Sequence, residues 1–136
     1  MKRREMMLSI ALLFLMIFIP MSSKADGIQD FFTKNFLGAK ASTNDLLAKA
    51  QLKNISVASE QYMLDKSGYP ETIDDLTGAQ PPYLNSSYCG KDISGFSYTC
   101  NFSKSGYEIV AAPDKPGVSG TTTFTETTGG IFTPST

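Results

Sequence analysis

The chain contains no histidine. That removes Ser–His and Cys–His nucleophile pairs together with the commonest metal ligand. Cysteine is scarce too: Cys89 and Cys100 are the only two. They form neither the C-x-x-C of a redox pair nor, without accompanying ligands, a zinc site. No glycine-rich phosphate loop follows a strand pattern. Beyond the first four residues Lys and Arg nowhere cluster, so nucleic acid is not an expected partner. Asp74 and Asp75 are adjacent, and neighbours on a helical turn point apart, so they suit capping better than shared acid–base work. No catalytic residue, metal site or cofactor is expected.

Long apolar runs are absent apart from one, residues 6–21 (MMLSIALLFLMIFIPM), which follows Lys2, Arg3 and Arg4. It is short for a bilayer span and has the length of a signal h-region. Ser23 and Ala25 occupy the small-residue positions read by a signal peptidase, so residues 1–25 are expected to be a secretory signal cut before Asp26. The alternative is an uncleaved anchor with the same basic side inside, the only case in which a membrane is a partner. No cysteine lies near the cut, so a lipoprotein anchor is not expected.

Cutting there leaves residues 26–136, enough for one domain with a modest core. It removes four of the 12 Lys and Arg and one of the 13 acids, so the net charge moves from −1 to −4. Export to the periplasm or cell surface places Cys89 and Cys100 where thiols oxidise, and a disulfide between them is the simple reading.

Ile28, Phe31, Phe32, Phe36 and Leu37 fall at near-helical spacing, which predicts an amphipathic stretch over residues 28–37, interrupted at Gly38. Ser42 and Asp45 have the spacing of a capping box, so a second helix is expected over residues 43–66. Its apolar face is Ala48, Leu52, Ile55, Ala58 and Tyr62, with Lys49, Lys53, Glu60 and Lys66 left for water. Ser67, Gly68, Tyr69 and Pro70 end it, Gly68 supplying the left-handed geometry. Thr72 to Leu76 gives one capped turn, and residues 79–90 a loop. Strand patterns cover residues 96–102, 106–112 and 121–127, with Ile131 and Phe132 as a short fourth. Lys104, Ser105 and Gly106 make a hairpin turn. Segregated helix and strand predict an α+β two-layer domain, a long helix packed on a three- or four-stranded antiparallel sheet.

Residues 48–76 (AKAQLKNISVASEQYMLDKSGYPETIDDL) resemble the helix-to-loop segment of type IV pilins and type II secretion pseudopilins. Those proteins show a similar Ala-Lys-x-Gln-Leu run, a Glu-Gln-Tyr, a glycine before Tyr-Pro and an Asp-Asp-Leu turn. Ser105 to Tyr107, Ala112 to Gly117, Gly120 and the Thr-Phe-Thr and Gly-Gly-Ile-Phe runs resemble the sheet of minor pilin heads, so the likeness covers residues 45–132. It implies a non-enzymatic subunit or accessory protein of a type IV pilus or type II secretion-like system, whose partners are other pilin-like or secretion-system proteins. The departure is the assembly signal, a Gly followed at once by Phe or Met with a Glu four residues on. No Gly occurs before Gly27.

Some pseudopilins carry calcium near the chain end, but Asp114 and Glu126 are too sparse for a ligand loop. Asn-x-Ser triplets at Asn54, Asn85 and Asn101 match a glycosylation acceptor. Six Thr among residues 121–128 read as a strand exposed on one face, or as a glycan-decorated patch. Phe31, Phe32, Phe36 and Leu37 read either as a core-facing stripe, the commoner meaning of that spacing, or as a contact surface, with the loop of residues 81–100 as a second contact surface. Two further readings stay open: a soluble exported binding module with a pilin-like head that does not assemble, and a small hydrolase.

Overall fold

The computed structural model describes residues 25–136; the expected export segment lies outside them, apart from Ala25. The chain forms two compact units that divide between Lys34 and Asn35. Helix α1, Ala25–Lys66, is continuous where the sequence predicts two helices. One interior glycine costs a helix only about 1 kcal/mol relative to Ala, and Gly38 sits among residues that accept helix. The Ser42–Asp45 capping box therefore does not form. Both residues lie inside α1, where backbone N–H groups already bond one turn back, and a box needs the free N–H groups of a helix start.

Left-handed geometry at the end of α1 falls on Ser67 (φ 61), one residue before the expected Gly68. The Ser67 N–H donates to the Met63 carbonyl at 2.9 Å. Tyr69 N–H then bonds Lys104 O at 3.2 Å, and Pro70 is buried. Helix α2, Ile73–Thr77, is the expected capped turn. Asp75 Oδ2 accepts the N–H groups of Glu71 and Thr72, both at 2.9 Å, while Asp74 is exposed.

The sheet has five antiparallel strands in chain order, one or two more than expected: β1 Asp92–Ile93, β2 Phe96–Ser103, β3 Gly106–Pro113, β4 Thr123–Thr127 and β5 Ile131–Ser135. The unpredicted strand is β1, whose two residues pair with Ser97 and Phe96. Two residues leave no alternation to read in a sequence. Lys104 and Ser105 connect β2 to β3, as predicted. Strand β4 begins at Thr123, because Thr121 and Thr122 give their N–H groups to the Asp45 carboxylate on α1, at 2.9 and 3.4 Å. Asn44 Nδ2 donates to Ser119 O at 2.7 Å. The same connection approaches so closely that a Cβ on Gly120 would lie 2.3 Å from the Phe96 ring.

The core forms where α1 crosses the sheet. The predicted face is buried at Ala48, Leu52, Ile55 and Ala58, with Tyr62 half-buried. Against it lie Phe96 and Tyr98 of β2, Tyr107, Ile109 and Ala111 of β3, and Phe124 of β4, closed by Leu76 and Leu84. Buried residues alternate along the strands, as period-two geometry requires. Thr123, Thr125 and Thr127 accordingly take the outer face of β4, partly exposed. The domain is thus an α+β two-layer fold. No helix among the described residues is long and apolar enough to cross a membrane.

Cys89 and Cys100 are joined, with Cα atoms 5.5 Å apart. The bond ties the end of the loop at residues 79–90 to β2, beside a Gly90 N–H to Tyr98 O bond of 2.8 Å, and it fits an oxidising compartment. Closing about 12 residues is worth roughly 3 kcal/mol. Reduction should lower the unfolding free energy by about that amount while helix and sheet remain, as read by urea denaturation with and without dithiothreitol. Equal midpoints would refute it.

Candidate functional site

Three places can be weighed as functional: a polar cluster under α1, a groove beside it, and its outward face. The polar cluster forms because α1 turns Ser56, Ser59 and Glu60 toward the sheet. Ser59 donates to Ile55 O at 2.8 Å. Glu60, expected to face water, instead collects three donors: Tyr107 O–H at 2.9 Å, Tyr69 O–H at 3.0 Å and Gly129 N–H at 2.7 Å. Since Tyr107 gives its single proton to Glu60, its oxygen accepts from Ser56 Oγ at 2.8 Å and from Gly130 N–H at 3.3 Å. Burial pushes Tyr107 up to about 12; Ser56 and Gly130 pull it down and the Glu60 carboxylate pushes it further up. Burial does the same to Tyr98, also to about 12, with Tyr88 adding to it. Every donor in the cluster has an acceptor. The cluster therefore holds α1 to the sheet through a satisfied polar network.

Glu126 departs from that pattern. It is fully buried. Its Oε1 lies 3.4 Å from Lys53 Nζ, whose side chain is largely exposed, and its Oε2 has no hydrogen-bond partner. Asp114 is elsewhere, sharing the Ser97 hydroxyl with Asp92 at 2.6 and 2.7 Å. The two acids weighed as ion ligands are thus not brought together. Among the described residues no group of three or more His, Cys, Asp or Glu side chains could hold a metal.

The groove runs between the C-terminal part of α1 and the loop at residues 79–88, an open space of about 850 Å³. The loop is fixed from below by Tyr83 and Leu84 N–H bonds to Leu76 O, at 2.9 and 3.2 Å. From α1 it is fixed by Tyr83 O–H to Asp65 Oδ2 at 2.9 Å and by the Tyr83 ring set edge-on to Tyr62 at 5.4 Å. The loop is legible in the sequence and the groove is not, because nothing local indicates how far a loop stands from a helix.

The phenylalanines expected as a contact surface are exposed. Phe31 (65%) and Phe32 (67%) lie before Asn35, their rings edge-to-face at 6.1 Å. After it, Phe36 is 72% exposed and Leu37 half-buried. The face of α1 turned from the sheet continues this character with Leu46 (69%), Val57 and Leu64 (70%). Phe36, Thr43, Ala50, Val57 and Leu64, all exposed and seven residues apart, lie on one stripe of α1, and three of them are large and apolar.

Two outcomes follow from the buried polar groups. A tyrosine with a raised folded pKa favours folding below its unfolded value of 10.0, and that contribution is lost as pH climbs toward about 12. Stability should therefore fall between pH 10 and 12, with Tyr98 and Tyr107 the last phenols to ionise by ultraviolet titration; Tyr107→Phe should flatten the fall. Lys53→Ala should cost about 1–3 kcal/mol by stranding the buried Glu126 carboxylate, and adding Glu126→Gln should recover most of it. Denaturation of the two variants checks this, and no recovery would sink it. In comparisons with known proteins, the chain matches no family model, no curated protein and no solved structure.

Proposed function

We propose that the protein is a non-enzymatic, exported, pilin-like subunit or accessory protein that works by docking α1 against another helix-bearing protein of a type IV pilus or type II secretion-like system. The observation that carries this is the outward seam of α1. Phe36, Leu46 and Leu64 are large apolar side chains left exposed on the side of α1 turned from the sheet, and among the described residues none of them joins the core. Export is supported by the disulfide and by the apolar run at residues 6–21. The pilin-like reading is supported by the likeness of residues 45–132 and by a long helix laid on an antiparallel meander. The missing Gly-Phe or Gly-Met signal makes an accessory role fit better than that of an ordinary filament subunit.

A second reading is favoured by the groove: a soluble exported module that binds a ligand without assembling. The two differ in what the outer seam does. Leu46→Asp and Leu64→Asp remove apolar surface at exposed positions and should leave circular dichroism and thermal unfolding unchanged. They should weaken capture of named pilus or secretion components, in crosslinking of the native chain, by about tenfold or more. A wild-type protein that sediments as a monomer and crosslinks to no such component would defeat the assembly reading.

A further inference from the structure

We infer that the groove between α1 and the loop at residues 79–88 is a binding site for a neutral oligosaccharide. This deepens the second reading and does not depend on the outer seam.

Charge comes first. Of the side chains that line the groove only Asp65 and Lys66 are ionic, and they are of opposite sign. Asp65 is already engaged, accepting Tyr83 O–H on one oxygen and Gln61 Nε2, at 3.3 Å, on the other. The groove thus has no field to select an anion or a cation.

What it offers instead is amide. Asn54 on α1 and Gln80 and Asn85 on the loop line the same groove, and none of the three is hydrogen-bonded to another described side chain. Each amide presents donors and an acceptor in one plane. A ligand rich in hydroxyls, every one both donor and acceptor, uses both at once. The same groove is lined by the apolar surfaces of Val57, Tyr83 and Tyr88, against which the C–H faces of a sugar ring can rest. Asn54 and Asp65 are eleven residues apart on α1, about 16 Å at 1.5 Å per residue, the reach of a short chain of rings and not of one.

A peptide fits less well. Helix α1 has no free backbone edge to extend a strand, and a proline-rich segment wants parallel aromatic ridges, whereas the Tyr83 ring is turned onto Tyr62. The site is also preformed: the loop is held by Leu76, Asp65 and the disulfide, so little ordering is left to oppose binding.

The test is an array of neutral and acidic oligosaccharides probed with the purified exported chain, its disulfide intact, followed by calorimetry with the best neutral trisaccharide. Binding confined to neutral glycans is expected. Asn54 and Asn85 are both exposed, so the double variant Asn54→Ala, Asn85→Ala should keep its melting temperature while affinity falls at least about tenfold, as the loss of two net hydrogen bonds implies. Leu46→Asp should bind glycan normally, which separates this site from the assembly surface. The inference is overturned if no glycan binds, if acidic glycans are preferred, if the double variant binds as well as the parent, or if a polyproline peptide binds in the groove and neutral glycans do not.

Discussion

The Glu60 carboxylate is the joint on which the domain turns. It accepts hydrogen bonds from Tyr69, just past the end of α1, from Tyr107 in β3, and from the backbone N–H of Gly129 in the β4–β5 turn. Three segments far apart in sequence are thereby held to one turn of one helix. A carboxylate with three donors tolerates its partly buried position because hydrogen bonds to a charged acceptor are about twice as strong as neutral ones. Ser56 completes the arrangement from one helical turn earlier by donating to Tyr107. Apolar burial at Leu52, Ile55, Phe96 and Ile109 supplies the non-directional part of the stability, and the carboxylate fixes the position of the helix along the sheet.

Small residues make that geometry accessible. Ala41, Ala48, Ala58, Ser56 and Ser59 let α1 lie close to the strands, close enough for short polar side chains to reach across. The Asp45 and Asn44 bonds to residues 119–122 fasten the β3–β4 connection by the same means. The cost is a core modest in apolar area that carries one charge, on Glu126, with an unpartnered oxygen. A disulfide-tied loop is a reasonable complement to such a core.

Because the sheet side of α1 is closed so completely, its two remaining sides are where contact with other molecules can occur. On one, the pinned loop stands off the helix and leaves a polar, aromatic-lined groove. On the other, Phe36, Leu46 and Leu64 stand exposed, and among the described residues none of them joins the core. The two surfaces differ in chemistry and meet at Val57, which lines the groove and belongs to the outer stripe.

The α+β order, the buried face Ala48, Leu52, Ile55 and Ala58, the β2–β3 hairpin and the Cys89–Cys100 bond were all legible in the sequence, because each follows from local period, turn chemistry or the presence of only two thiols. The exposed phenylalanines were legible as a stripe, though not as part of one uninterrupted helix. A propensity rule breaks a helix at Gly38, and the actual penalty is too small to do so. Strand β1 was too short to carry a pattern. The burial of Glu126, the capture of Asp45 by Thr121 and Thr122, and the three donors on Glu60 are matters of tertiary structure alone. A sequence states which groups are polar and how often they recur, but whether a carboxylate meets water or a distant tyrosine is decided only when the sheet closes over the helix.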